Sequence, residues 1–276
     1  SNGIDSTKGR IEMTTLYMYG DSFGADWRTD WQWHRQLVSR LNMNGVNIQR
    51  VVNQCVSGCS NDYSFDMFTK DRQQPGDVVI FLLTDISRQT YWWDKPHVGN
   101  LRSITETETA QELKATEPDK YNAALDYWLH LNDYHVNFRR LEQLVYSLRV
   151  MQIERELKFQ MIPCFPVEIN WTDQVEVIGN LTESVCDREF ANESVIEEWY
   201  GTSIDTRANH MTIDNHTVLA NKVYAALMNN HTIDLTKDFT TGFLTNSQKL
   251  THPGLLPELV EKAKGPGNNL PPECFE

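Results

Sequence analysis

The stretch that decides the fold is Leu16-Tyr17-Met18-Tyr19-Gly20-Asp21-Ser22-Phe23-Gly24. Its apolar half ends at Gly20, and an amphipathic pattern of helical period starts at Trp33. This order predicts a strand, a tight turn and a helix, with Ser22 on the turn near unpaired backbone N–H groups that favour negative charge. An exposed Ser on such a turn is a common presentation of a nucleophile. Asp21 and Ser22 are also good turn formers, so both interpretations stay open at this point.

Strand and helix patterns alternate along the rest of the chain, and an uninterrupted apolar run at 78–83 is typical of a central parallel strand covered on both faces. The alternation predicts an α/β fold, a three-layer α/β/α sandwich with a central parallel sheet. Further strands are predicted at 46–52 and 159–164, and helices at 33–41 with a stop at Asn44-Gly45, at 61–70, at 119–156, at 192–199 and at 214–228.

Three loops with suggestive chemistry each follow a predicted strand. They carry Ser22, Gly58 and Asp85. Parallel strands place their carboxyl ends on one edge of the sheet, where ligands bind in such folds, so we expect these loops to meet. Residues 86–120 are predicted to be a long, polar, irregular inserted loop, which is a common setting for function.

Composition excludes some classes of protein. The 276 residues carry a formal net charge of −13, which argues against a general nucleic-acid or anionic-membrane binder. The sequence has no apolar run near the roughly 20 residues that a membrane span needs. We predict one domain at 13–230, with a Pro/Gly-rich extension at 231–276.

Residues 1–12 are polar and are interpreted as an expression scar, with Met13 as the native start. No charged segment followed by an apolar stretch precedes the first strand, so a secretory signal is not predicted. This favours cytoplasmic synthesis, which is also compatible with a virion component.

The five cysteines are odd in number and lack paired metal-type spacings, which favours reduced thiols over a disulfide framework. No His/Cys/Asp cluster has ligand spacing, and we predict no metal and no cofactor. A flavodoxin-like nucleotide binder would need a Gly-rich phosphate loop, which the sequence lacks.

Blocks in three regions of the chain resemble those of one family. The first is Gly20-Asp21-Ser22, and the second is Val51-Val52-Asn53 followed by Val56-Ser57-Gly58. The last is Asn209-His210 followed by Asn215-His216 and Ala220, before the final amphipathic helix. Together they resemble the SGNH hydrolases, also called GDSL esterases and lipases.

The resemblance implies a flavodoxin-like SGNH hydrolase fold and hydrolysis of a carboxylic ester. It implies Ser22 as the nucleophile, His210 as the base, and the backbone N–H groups of Ser22 and Gly58 as oxyanion donors. His252, in Thr251-His252-Pro253-Gly254, is the rival base. His216 is predicted to face the helix surface or to pack locally, and Asp21 to be a structural turn residue.

The chain departs from the family pattern at two positions. Asp85 stands where an Asn usually donates to the oxyanion; an ionised carboxylate would oppose that charge, and a protonated one could donate. Thr84 and Asn61 are the candidates to replace this donor. Arg207 stands where an Asp usually precedes the His, so Asp205 is the nearest carboxylate to orient it.

Some phage-encoded members resemble this chain from Thr84-Asp85 to Arg88, where a Thr and a downstream Arg replace the usual Asn, and this resemblance favours a phage origin. The expected substrate is an ester, such as an O-acetyl group on a polysaccharide, with tryptophans near the cleft (Trp27, Trp31 and Trp92-Trp93). The alternative is a virion or surface component that keeps the fold to bind glycan or protein with little catalysis.

Overall fold

The computed structural model describes residues 14–25, 32–92, 96–99, 108–167, 176–184, 211 and 213–239. Its strands are β1 Thr14–Tyr19, β2 Ile48–Asn53, β3 Val78–Leu83, β4 Gln89–Trp92, β5 Pro96–Gly99, β6 Lys158–Pro163, β7 Val177–Ile178 and β8 Ile233–Asp234. Its helices are α1 Trp33–Met43, α2 Asn61–Lys70, α3 Glu108–Thr116, α4 Pro118–Asp126, α5 Tyr134–Glu154, α6 Leu181–Ser184 and α7 Ile213–Asn229.

A parallel sheet of four strands, in the order β2-β1-β3-β6, forms the centre of the protein. All six residues of β3 are apolar and buried, because helices cover both faces of this strand. The predicted parallel sheet and the place of 78–83 at its centre are confirmed.

Alternate side chains of β1 enter two different cores, as the two-residue period of a strand requires. Leu16 and Met18 pack with α1 and α7, whereas Tyr17 and Tyr19 pack with α2 and α5. The three-layer α/β/α architecture is therefore confirmed.

Two helix ends show how local sequence sets the elements. Helix α1 ends at Met43, and Gly45 follows with φ +86°, a left-handed conformation that glycine adopts without a Cβ clash. The Ser60 hydroxyl caps α2 by accepting a hydrogen bond from Tyr63 N at 3.2 Å. The predicted stop at Asn44-Gly45 and the helix at 61–70 are confirmed.

The predictions for 86–156 are wrong in two respects. Residues 86–120 are not irregular throughout, since β4 and β5 pair as an antiparallel hairpin and α3 and α4 follow. The single helix predicted at 119–156 is divided by a π-helical turn at Tyr127–Leu131 and a fresh start at Tyr134. Asp133 accepts a hydrogen bond from Val136 N at 3.0 Å, so its side chain begins a new helix where the apolar period suggested continuity.

The first residues after 230 are part of the packed structure. Strand β8 pairs in parallel with β7, and Ile233 and Leu235 are buried in the same core as α7. The domain limits at 13 and 230 stay a prediction. The segment 1–12, the helix predicted at 192–199 and residues 240–276 lie outside the described residues.

Among the helices of the described ranges, none has the length and apolarity to cross a membrane.

Candidate functional site

The loops after β1, β2 and β3 leave the sheet at one edge, because the three strands are parallel. Strand β1 lies between β2 and β3, so the chain reverses direction across the sheet here, which is the usual ligand position in such folds. Gly20 O accepts hydrogen bonds from Val56 N at 2.9 Å and from Cys59 Sγ at 3.0 Å. The predicted meeting of these loops is confirmed.

A tight turn carries Ser22, which is half-buried. Gly24 N donates to Asp21 O at 3.1 Å, and Phe23 N donates to Asp21 Oδ1 at 3.2 Å, so the Asp side chain and main chain both shape the turn. Gly20 has φ +140°, and a Cβ on it would lie 2.4 Å from the Cβ of Leu82. Glycine is therefore required where β1 passes against β3.

Asp21 is buried with 0% of its surface exposed, and its carboxylate is paired. Oδ2 accepts from Thr84 Oγ1 at 3.2 Å and from Arg88 Nη1 at 3.0 Å. The Asp21 carboxylate thus joins the first loop to the third and serves as the structural turn residue that the sequence predicted.

The turn at Gly58 presents an available backbone donor. Gly58 has φ +74°, which glycine adopts without strain, and a Cβ there would meet no atom within 4 Å. Cys59 N donates to Val56 O at 3.0 Å and closes the turn. Within the described part of the chain, the N–H of Gly58 donates to no other group.

Asp85, at the position of the expected amide donor, takes part in a turn. Its Oδ1 accepts a hydrogen bond from Ser87 N at 2.8 Å, and its carbonyl accepts from Arg88 N at 3.1 Å. One carboxylate oxygen therefore holds the local backbone, which is a common use of Asp after a strand.

The two candidate replacements, Thr84 and Asn61, are bonded to each other. Thr84 N donates to Asn61 Oδ1 and Asn61 Nδ2 donates to Thr84 O, both at 2.9 Å. The Thr84 hydroxyl has one proton and donates it to Asp21, so it has none left for a second acceptor. Asn61 Nδ2 carries two protons and, among the described residues, bonds only one of them, to Thr84, which makes it the better candidate donor.

Arg88 connects all three loops and was not among the site residues predicted from the sequence. Its Nη1 donates its two protons to Asp21 Oδ2 and, at 2.6 Å, to Thr84 Oγ1, and the longer contact with Cys59 O at 3.4 Å shares one of them. The guanidinium lies 4.7 Å from the centre of the Phe165 ring, and the side chain is 14% exposed. The sequence signal that could have identified it is an arginine three residues after the Asp that follows β3.

A cleft opens beside Arg88 between α2 and α5, with about 290 Å³ of space including the solvent at its mouth. Six of its nine lining residues are polar or charged, and the apolar ones are Ile86 and two leucines of α5. The lining residues are Asn61, Asp62, Ile86, Arg88, Gln89, Asn137, Arg140, Leu141 and Leu144.

The thiols near the turn are poor nucleophiles. Burial raises the pKa of the Cys59 thiol to about 12, and burial also raises the pKa of Cys55 well above its ordinary value. Cys55, Cys59 and Cys164 are free thiols. In the ranges that the structure describes, no group of three His, Cys, Asp or Glu residues could hold a metal ion.

The predicted base His210, its rival His252 and the orienting Asp205 lie outside the described residues. The predicted surface position of His216 is wrong. This side chain is 4% exposed, and its Nδ1 accepts a hydrogen bond from Trp33 N at 3.2 Å, which ties α7 to the start of α1. Local periodicity cannot predict a contact between two residues that are 183 positions apart.

No protein-family model and no curated protein sequence matches the chain. Among solved structures, the chain is similar to the acetyl xylan esterase AlAXEase at 12% identity, over 82% of this chain and 79% of that one, with a TM-score of 0.31. It is also similar to a member of the lipolytic protein G-D-S-L family from Veillonella parvula DSM 2008 at 9% identity, over 79% of this chain and 98% of that one, with a TM-score of 0.30. At these TM-scores neither similarity decides fold or activity.

Proposed function

We propose that the protein is a serine esterase that hydrolyses a carboxylic ester. One observation supports this most directly: the Ser22 turn and the Gly58 turn meet at the carboxyl edge of a parallel sheet. Gly20 O holds them together through bonds from Val56 and Cys59. A hydroxyl on one turn and, on the other, a backbone N–H with no acceptor among the described residues are the two elements that acyl transfer needs.

In the proposed reaction, Ser22 Oγ attacks the ester carbonyl and His210 accepts the hydroxyl proton. The backbone N–H groups of Ser22 and Gly58 stabilise the negative charge on the tetrahedral oxygen. His210 then gives its proton to the leaving alkoxide and later activates the water that releases the acyl group. In this proposal Asp205 orients the imidazole.

Asn61 is the third oxyanion donor in this proposal, since Asp85 and Thr84 are engaged elsewhere. Removal of one such donor typically costs about a hundred- to a thousandfold in rate, so the assignment can be measured. In Asp85→Asn, a rise in rate would show that the carboxylate is a handicap, and an unchanged rate would support Asn61.

The finer proposal is an O-acetyl ester on a carbohydrate, with the cleft beside Arg88 as the place for the rest of the substrate. The lining offers amide and guanidinium groups for hydroxyls and three apolar side chains for a ring face. No cofactor is needed because side chains and backbone supply each step. For its source and location, we propose a phage protein that is made in the cytoplasm and carried on the virion.

The test is hydrolysis of a short-chain aryl ester together with labelling by a fluorophosphonate. We expect the wild-type protein to be labelled and the Ser22→Ala variant to be unlabelled, with hydrolysis reduced by at least about a thousandfold. A folded wild-type protein that takes up no label would refute the proposal.

The second candidate is a binding protein with little catalysis. The Asp85 carboxylate supports it, because it holds Ser87 N and leaves the strand end without the usual amide donor. This candidate predicts that the protein binds acylated polysaccharide while Ser22 stays unlabelled. Binding by calorimetry, with and without Ser22→Ala, separates the two functions.

A further inference from the structure

Arg88 contacts each of the loops that surround Ser22. Its Nη1 lies 3.0 Å from Asp21 Oδ2, beside the proposed nucleophile, and 3.4 Å from Cys59 O, directly after Gly58. The third contact, at 2.6 Å, is with Thr84 Oγ1 at the end of β3. One nitrogen atom therefore contacts the residue before Ser22, the residue after Gly58 and the residue that follows β3.

The charge of Asp21 makes this pairing matter for chemistry. A buried carboxylate next to Ser22 would oppose negative charge that develops on a substrate oxygen, and its effect is strong where water is excluded. Arg88 cancels that charge at a distance of 3.0 Å. Because the Asp21 side chain is 1% exposed, solvent cannot take over this role.

The position of the guanidinium is itself constrained. It lies against the Phe165 ring and has 14% of its side chain exposed, so few other rotamers are open to it. A lysine would keep the charge but has no planar group to stack on the Phe165 ring. A glutamine would keep a donor and remove the charge.

We propose that Arg88 is a positioning residue of this site. It cancels the charge of Asp21 and holds the Ser22 and Gly58 turns in one arrangement, so that their N–H groups face the same oxygen. The proposal rests on the proposed esterase function and gives Arg88 no direct contact with substrate.

The test compares Arg88→Gln and Arg88→Lys with a matched control, Arg155→Gln. Arg155 also lies over a phenylalanine ring, 5.1 Å from the centre of Phe68, and donates to Gln73 Oε1. In the described structure its contacts include none of the three loops. The comparison therefore separates the loss of a stacked arginine from the loss of the contacts that Arg88 makes.

Each variant is measured for kcat and KM on the aryl ester, for the rate of fluorophosphonate labelling, and for Tm. We expect Arg88→Gln to lower kcat about 30- to 100-fold with KM changed less than about threefold. We expect the kcat of Arg88→Lys to be about tenfold higher than that of Arg88→Gln. Arg155→Gln should lower Tm by a similar amount and leave kcat within about twofold.

A second background keeps the test informative if Arg88→Gln folds poorly. In Asp21→Asn the charge to be cancelled is absent, so adding Arg88→Gln should cost less than about fivefold in kcat. Equal losses in both backgrounds, or losses of kcat that follow Tm for Arg88 and Arg155 alike, would overturn the positioning role. If the wild-type protein is labelled and the kcat of Arg88→Gln is unchanged, this inference alone is overturned. If the wild-type protein is not labelled, the esterase function is overturned as well.

Discussion

Two polar clusters of this protein use the same chemistry for different ends. The edge cluster consists of Asp21, Cys59, Asn61, Thr84 and Arg88, and the tyrosine cluster consists of Tyr19, Phe68, Asp71, Gln73 and Arg155. In the tyrosine cluster, the Tyr19 hydroxyl donates to Asp71 Oδ2 at 2.8 Å and accepts from Gln73 Nε2 at 2.8 Å. Each cluster places an arginine over a phenylalanine ring.

The difference lies in what the two clusters join. The tyrosine cluster links Tyr19 of β1 to the end of α2 and to Arg155, the residue that follows α5. The edge cluster links three loops that carry Ser22, Gly58 and Asp85. A buried polar network by itself therefore says little about function, and the backbone that it holds in place says more.

The largest expected effect comes from removing an acid in each cluster. Asp21→Ala leaves Arg88 with an uncompensated charge and should lower the free energy of unfolding by about 3–5 kcal/mol. Asp71→Ala should cost only about 1–2 kcal/mol, because Asp71 accepts from a neutral phenol. Urea unfolding at neutral pH measures both, and equal losses would remove the distinction between the clusters.

Gly20→Ala tests the backbone beside the edge cluster. The new Cβ would meet the Cβ of Leu82 at 2.4 Å in a left-handed conformation, so we expect a loss of about 2–4 kcal/mol. Gly76→Ala is the matched control, since Gly76 has φ +84° but open space around it. It should cost about 1–2 kcal/mol for the conformation alone. Thermal unfolding compares them, and similar losses would mean that β1 shifts to admit the methyl group.

Tyr19→Phe tests the tyrosine cluster without changing the core volume. The loss of two hydrogen bonds of a buried hydroxyl should lower the free energy of unfolding by about 1–2 kcal/mol. We expect kcat on an aryl ester to stay within about twofold, since this cluster holds none of the three loops. A tenfold fall in kcat at unchanged KM would show that the two clusters act together.

Cys59 makes the edge cluster sensitive to alkali. Burial raises the pKa of this thiol from 9.0 to about 12, so the folded protein keeps a proton that the unfolded chain loses. The contribution of Cys59 to stability is therefore full below pH 9 and falls as pH rises towards 12, by about 1.4 kcal/mol per pH unit. Urea unfolding between pH 8 and pH 10.5 measures the slope. Cys59→Ala should reduce the slope of the free energy of unfolding against pH by the equivalent of one proton. An unchanged slope would contradict the raised pKa of Cys59.

Much of the fold could be predicted because its signals are local. The apolar run at 78–83, the period of 33–41 and the turn residues at Gly20 and Gly45 each act over a few neighbouring positions. The split of the long helix could not be read from apolar period, because the Asp133 cap competes with it.

The candidate site was predicted only in part, because only some of its signals are local. Ser22, Gly58 and Asp85 follow strands, and parallel strands bring such loops together. The engagement of Thr84 with Asp21, and of Asn61 with Thr84, depends on rotamers and directed hydrogen bonds that no spacing encodes. His210 and Asp205 stay predictions.

The sequence alone determined the strands of the central sheet and the turn that presents Ser22, because hydrophobic period and turn chemistry are properties of neighbouring residues. The tertiary structure alone decided that Arg88 pairs with Asp21, 67 positions away, and that His216 accepts from Trp33. Such contacts form only after the sheet has set the distances between loops, and their strength comes from the burial that packing creates.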